Sequence, residues 1–233
     1  MTASRLDALK RCPVLAGLAD SALAKFASTC AWREYQAGAQ LLGYQDISTD
    51  VFFIVAGKAR VVIYSAEGKA VLFHQQEAGS LFGELAAIDG GPRSASIEAV
   101  EPSTVASLTA SQFKALLQQE PAAAMAVMQN MAAVLRRLSE RIHEFSTLVV
   151  QNRIQAELLR LAERCKAGPG KGALIVPAPS LNDIAHRVST HREAVSRELS
   201  RLSAIGLVQR ESGGLRISDI EYLAGLVREA KGE

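Results

Sequence analysis

The sequence predicts an α+β chain in three parts: an N-terminal antiparallel β-roll or jelly roll entered by helix, a long helix, and a C-terminal domain of short helices closed by a hairpin. Three observations carry this. Between Gly38 and Thr109, short apolar runs are separated by glycine. From Met128 to Val149, apolar residues recur at spacings of three and four. After Pro179, two short helical patterns are followed by two β-runs around Gly213-Gly214. At 233 residues the chain exceeds one comfortable core, so two are expected. The expected boundaries are 1–118 for the β-roll domain, 119–150 for the long helix and 151–233 for the C-terminal domain.

The opening stretch SRLDALKRCPVLAGLADSALAKFAST reads as helical. The runs DVFFIVAG, KARVVIYSAEG, KAVLFHQQEAGSLFG and SASIEAVEPSTVASLT then read as short strands joined by turns. No helical pattern lies between them, which predicts antiparallel pairing in a roll rather than a parallel sheet.

From Pro121 the period changes. Met128, Met131, Leu135, Leu138, Ile142, Phe145 and Val149 form a 3-4-3-4 seam over three heptads. Such a stripe predicts a homodimer through parallel helices, each buried seam side chain contributing about 1.5–3 kcal/mol before entropic costs. A helix packed only on its own domain is the alternative. Val134 and Leu148, off the seam, predict that the helix also touches the β-roll.

A further helix, RIQAELLRLAERCK, runs into the turn cluster AGPGKG. Ser180 with Asp183 three residues on predicts a capping box opening one short helix. Thr190 with Glu193 predicts a second box opening another, whose apolar stripe is Val195, Leu199 and Leu202. Two helices joined this tightly, followed by the hairpin of LVQRESGGLRIS, make a winged helix-turn-helix.

Composition sets bounds. A hydrophobic fraction of 48% and a charged fraction of 21% predict a packed globule. No apolar run reaches about eighteen residues, and the N-terminus lacks a secretory pattern, so a cytoplasmic address without membrane association is expected. Cys12, Cys30 and Cys165 are scattered, predicting reduced buried thiols and no metal site. The net charge of +2 is nearly neutral, but residues 150–233 hold 13 Lys+Arg against 10 Asp+Glu, a mild basic bias where the helix-turn-helix lies. No Ser/His/acid set, metal cluster or Walker-type loop is visible, so the chain reads as a binder rather than an enzyme.

The stretch FGELAAIDGGPRSAS, Phe82 to Ser96, places one glutamate and one arginine among small residues. Gly83 permits close backbone approach, and Glu84–Ile88 can form a helical turn whose amides face an anion. Arg93 supplies countercharge and Ser94 a hydroxyl, the inventory for a phosphodiester beside a ribose. A plain Glu84–Arg93 salt bridge across a turn is the alternative.

The stretch resembles the phosphate-binding cassette of cyclic-nucleotide-binding domains, Phe-Gly-Glu-(Leu/Ile)-Ala followed by Pro-Arg-(Ser/Thr/Ala)-Ala, and Gly38, Gly57, Gly68 and Gly79 match that domain's turns. With the long helix and the winged helix-turn-helix, nearly the whole chain is similar to the Crp/Fnr family of bacterial transcription regulators. The resemblance implies that Phe82, Gly83, Glu84, Leu85, Arg93, Ser94 and Ala95 hold the ribose and phosphate of cAMP. It also implies that Leu138 and Ser139 occupy the place of a base-contacting Thr-Ser pair. Leu138 cannot hydrogen-bond a base, so cGMP stays open. Other signals known in the family, a cyclic dinucleotide or nitric oxide on haem, stay open too. An iron–sulfur cluster lacks its N-terminal cysteines, and His74 and His143 are lone histidines. A nucleotide-binding module that controls a protein partner is the rival class.

For DNA, the resemblance implies contacts from Ser180, Ser189, Thr190, His191, Arg192, Glu193, Ser196 and Arg197, with the wing around Gly213 on phosphates. Arginine pairs with guanine and glutamate with cytosine. Double-stranded DNA carrying a palindrome of TGA-containing half-sites, leaning to TGTGA, and RNA polymerase are the implied partners.

Overall fold

The computed structural model describes residues 3–64, 70–165 and 171–232, with side chains described over 6–63, 75–165 and 171–232. Gly68 and most of the AGPGKG cluster lie outside the described residues, as does the side chain of His74. The chain forms two compact units, Met1–Leu135 and Arg136–Glu233.

The first unit opens with α1 (Ala3–Lys10) and α2 (Asp20–Thr29), so the single helical stretch expected is two helices broken around Cys12-Pro13. Eight strands follow: β1 (Ala31–Tyr35), β2 (Gln40–Leu42), β3 (Val51–Ala56), β4 (Lys58–Tyr64), β5 (Ala70–Glu77), β6 (Leu81–Phe82), β7 (Ser96–Ala99) and β8 (Ser103–Leu108). Every pairing among them is antiparallel, in two four-stranded sheets ordered β1-β8-β3-β6 and β2-β7-β4-β5. This is the expected roll. Strand β1 precedes the glycine-punctuated region; its Arg33 and Glu34 interrupt any apolar pattern.

Strand β3 explains why VFFIVA is a continuous apolar run. Phe52 and Ile54 point between the sheets with Leu42, Val61, Ile97 and Val105. Val51, Phe53 and Val55 point to the other face, against Leu9, Leu15, Leu23 and Phe26. A strand covered on both faces needs no polar alternation. The helices α4 (Ala110–Gln119) and α5 (Pro121–Thr147) complete the element order here; Phe113, Ala123 and Val127 join the second cluster, with Met131 packed against it.

The seam residues of α5 divide accordingly. Met128, Leu135, Leu138, Ile142 and Phe145 stay exposed, Leu135 and Ile142 at 66%, while Met131 spends part of its surface on the core. Val149 lies outside the helix: α5 ends at Thr147, and Val149 is the N-cap of α6 (Val150–Arg164). The continuous helix is therefore shorter than the seam that the spacing predicted. Contact with the β-roll core is made through Ala123, Ala126, Val127 and Met131, where the sequence pointed to Val134 and Leu148.

The second unit adds β9 (Ala173–Ile175), α7 (Leu181–Arg187), α8 (Arg192–Ala204), β10 (Val208–Glu211), β11 (Gly214–Ile217) and α9 (Ile220–Lys231). The hairpin β10-β11 takes β9 as a third antiparallel strand. Ile154, Leu158, Ile184, Val195, Leu199, Leu202, Leu215, Ile217 and Leu223 fill one core. Cys12 is buried, whereas Cys30 and Cys165 are half-buried, a departure from the buried thiols expected; all three are free. Burial pushes Cys12 up to about 11 and Cys30 up to about 12, so both are thiols at neutral pH. Among the described residues no helix is long and apolar enough to cross a membrane.

Candidate functional site

In the first unit the chain leaves β6 at buried Phe82 and turns through Gly83, whose φ of +85° suits glycine. Space demands glycine as well: a Cβ there would lie 2.8 Å from Arg93 Nη1 and 2.8 Å from the Asp50 carbonyl. Helix α3 (Glu84–Asp89) follows, capped by Gly83 before it and Gly90 after it, both left-handed. Leu85 and Ser94 are exposed, Ala95 and Glu84 half-buried.

Arg93 is the anchor of this segment and only 2% exposed. Its Nε donates to Ser48 Oγ at 3.0 Å, Nη1 to the Gly83 carbonyl at 2.9 Å and Nη2 to the Asp50 carbonyl at 2.8 Å. Its backbone amide donates to Asp46 O and its carbonyl accepts from the Gln45 amide. The guanidinium lies 5.8 Å from the ring of Phe52, which stacks on Phe82 at 5.1 Å. A guanidinium carries five N–H donors, so these three bonds use Nε–H and leave one N–H on each Nη. The Glu84–Arg93 salt bridge is not formed; among the described residues Arg93 has no carboxylate within ion-pair distance. Glu84 instead sits in a poorly hydrated place, which raises its carboxyl above the ordinary value against the pull of its own backbone amide and Arg93.

In the second unit Ser180 and Asp183 close the expected capping box. Asp183 N donates to Ser180 Oγ at 3.1 Å and Ser180 N to Asp183 Oδ2 at 3.2 Å. The second box does not form. His191, not Thr190, is the N-cap of α8, and it makes no side-chain cap bond. Thr190 is used in the turn: it is buried, and its amide donates to the Ala185 carbonyl. Before it Ser189 takes a left-handed φ of +49° and is exposed. The capping signal was displaced by one residue because the tight turn needed Thr190 inside. Glu193 is thereby released from capping and lies exposed with Arg192, Ser196, Arg197 and Ser200.

Those five side chains line one depression of about 480 Å³. A larger concavity of about 660 Å³ runs from the start of α7 along α8 to the hairpin, lined among others by Ser180, Asn182, Arg192, Ser196, Ser203 and Arg210. Asn182, Ser203 and Arg210 were not singled out from sequence; Arg210 lies on β10, where Val208 is buried and the three residues after it are exposed. The arginines of this unit fall into two groups. Arg201 is held by Glu198 and Arg216 by Glu211, whereas Arg192, Arg197 and Arg210 carry no ion pair among the described residues. Arg192, Arg197 and Arg210 thus face outward without an ion pair among the described residues, with Glu193 exposed between the first two.

Leu138 and Ser139 stand on α5 within the second unit, Leu138 exposed. His143 is exposed on the same helix, and among the described residues no group of His, Cys, Asp or Glu is arranged to hold a metal ion.

Comparison with known proteins identifies the two domains. Residues 32–120 match the cyclic nucleotide-binding domain, and residues 152–226 match the Crp-like helix-turn-helix domain. The chain is 29% identical over 219 residues to the cyclic AMP receptor protein of Thermus thermophilus, covering 92% of this chain and 96% of that one. It is 23% identical over 222 residues to a CRP-like cAMP-activated global transcriptional regulator of Mycobacterium tuberculosis, covering 95% and 99%. In fold it is similar to a CooA mutant from Carboxydothermus hydrogenoformans, with a TM-score of 0.79 at 20% identity over 92% of this chain and 94% of that one. A nucleotide-binding roll and a Crp-like helix-turn-helix on one chain make this protein a member of the Crp/Fnr family of transcription regulators.

Proposed function

We propose that the protein is a homodimeric transcription regulator whose affinity for a palindromic operator is controlled by cAMP. The observation that carries the reading is Arg93: a buried guanidinium held by Ser48 and two carbonyls, with one N–H left on each Nη beside a glycine-capped turn. The phosphodiester would take those donors and the Ser94 hydroxyl, and Glu84 would accept from the ribose. Phe82, Gly83, Leu85 and Ala95 shape the cradle, and the base is assigned to Leu138 and Ser139. One relative is named as cAMP-activated and another as a cyclic AMP receptor protein, which supports cAMP over cGMP.

The exposed stripe Met128, Leu135, Leu138, Ile142 and Phe145 supports pairing of two α5 helices. Arg192, Glu193, Ser196 and Arg197 would read TGA-containing half-sites, about one helical turn apart, while Ser180, Ser189, His191 and the hairpin position the backbone. Thr190 acts in this reading by shaping the turn. The domain boundaries 1–118, 119–150 and 151–233 follow this division of labour. The protein acts on DNA in the cytoplasm, with RNA polymerase as the partner that reads the outcome, and carries out no catalysis.

Nucleotide controls DNA binding only if it prefers one of two conformations. Calorimetry with cAMP and with cGMP, on wild type and on Arg93→Ala, tests the pocket. The reading expects heat with cAMP that the variant loses. Equal heats from both proteins, or none from wild type, would remove the assignment.

A further inference from the structure

The most elaborate cluster of charges in the second unit belongs to neither site. Glu157 on α6 is 2% exposed and faces arginines from three helices. Arg160 Nη1, on its own helix, lies 2.7 Å from Oε2; Arg141 Nη2, on α5, lies 3.3 Å from Oε2; Arg187 Nη1, on α7, lies 3.4 Å from Oε1. Arg160 continues to Glu144 on α5, which Lys231 of α9 also approaches at 3.7 Å. Arg187 Nε, buried, has no partner.

One bond in this cluster differs from the ion pairs. Arg141 Nη1 donates to the backbone carbonyl of Arg187 at 2.6 Å. That carbonyl belongs to the last residue of α7, where helix carbonyls lack intrahelical partners and a cation is favoured. It stands just ahead of the left-handed turn at Ser189 that aims α8. On the other side of the bond, Arg141 follows Ser139 by two residues on α5. A buried ion cluster is poor evidence for stability, because desolvation offsets attraction. Its value lies in fixing one geometry, and this one fixes the end of α5 against the end of α7.

We propose that Arg141 is a positioning residue: anchored by Glu157, it grips the Arg187 carbonyl and so transmits the state of α5 to the recognition helix. The proposal rests on the reading of α5 as the helix that meets the effector. In that reading the path is short: Arg141, two residues after Ser139, bonds directly to Arg187, two residues before the left-handed Ser189.

The test uses the full-length protein with Arg141→Met, which removes the donors but leaves Glu157 two arginines. Arg160→Met is the control: it loses equal charge from the same acid but makes no bond to α7. DNA affinity is measured by anisotropy with and without saturating cAMP, cAMP binding by calorimetry, and exchange of the amides of residues 182–187 by mass spectrometry. Arg141→Met should bind cAMP as wild type does, yet lose about tenfold or more of the ratio between the two DNA affinities, and its α7 amides should exchange faster. Arg160→Met should keep both. If Arg141→Met melts too low to assay, Arg141→Lys, which keeps the charge without the guanidinium's fixed fork, should give an intermediate ratio. A wild-type ratio in Arg141→Met, or equal loss in both variants, overturns the proposal. If wild type itself ignores cAMP, the effector reading fails separately, and the linkage is judged by exchange alone: faster α7 exchange only in Arg141→Met supports it, and equal exchange overturns it.

Discussion

Arg93 and Gly83 are built as a pair: the arginine's Nη1 donates to the glycine's carbonyl at 2.9 Å, and a single added carbon on Gly83 would sit 2.8 Å from that same nitrogen. The glycine serves as cap, as acceptor and as empty space. Gly83→Ala should therefore lose cAMP affinity and stability together, the positive φ and the collision costing about 1–3 kcal/mol. Melting and calorimetry on one preparation check this; a variant with wild-type melting would show that the space is not needed.

Glu84 should behave oppositely. A carboxyl raised by burial favours its protonated form in the fold, so it supports stability below its ordinary range and weakens it as pH rises through the raised value. At neutral pH the ionised side chain is a cost. Glu84→Gln should melt at or above wild type at pH 7, with the difference vanishing at acid pH, while cAMP binding weakens. A lower melting point at pH 7 would contradict the assignment of Glu84 to ligand rather than fold.

Arg197 and Arg210 should fail in different ways. Arg197→Ala should cost about 1–3 kcal/mol against a TGA-containing palindrome and relax discrimination at one base pair. Arg210→Ala, on the hairpin, should weaken all sequences alike and lower the salt slope by about one. Arg216→Ala should change the slope little, because Glu211 already neutralises Arg216. Titrations across salt concentrations on matched and mutated duplexes separate these outcomes; identical slopes for Arg210→Ala and wild type would exclude a phosphate contact.

The stripe on α5 makes a prediction about assembly. Leu135→Glu and Ile142→Glu each place a charge where 66% of an apolar side chain is exposed in the single chain. Sedimentation should show the wild type as a dimer and the variants shifted to monomer, since a buried unpaired carboxylate is expensive. Val149→Glu should have little effect, because Val149 stands beyond the helix.

These residues also mark how far the sequence could be read. Periodicity located the roll, the long helix and the helix-turn-helix, and the spacing of Ser180 and Asp183 fixed one helix start to the residue. The Thr190–Glu193 spacing satisfied the same rule and failed, because capping patterns describe local bonds while burial of Thr190 is decided by the turn's packing. Strand β1 was hidden by Arg33 and Glu34, and the end of α5 by an apolar repeat that continued past it. The Arg141–Glu157–Arg187 cluster was illegible: charges at 141, 157 and 187 look like solvated surface until the fold places them together. Around Arg93 the bonds were not legible, since Ser48 and Asp50, which hold its guanidinium, lie on another loop.

The central claim is that nucleotide sets DNA affinity. Its most direct test is the dissociation constant for a duplex carrying a TGA-containing palindrome, measured at fixed salt without cAMP and with saturating cAMP. The account predicts tighter binding with cAMP and no such change for Arg93→Ala. Equal constants in wild type, with cAMP demonstrably bound, would contradict it.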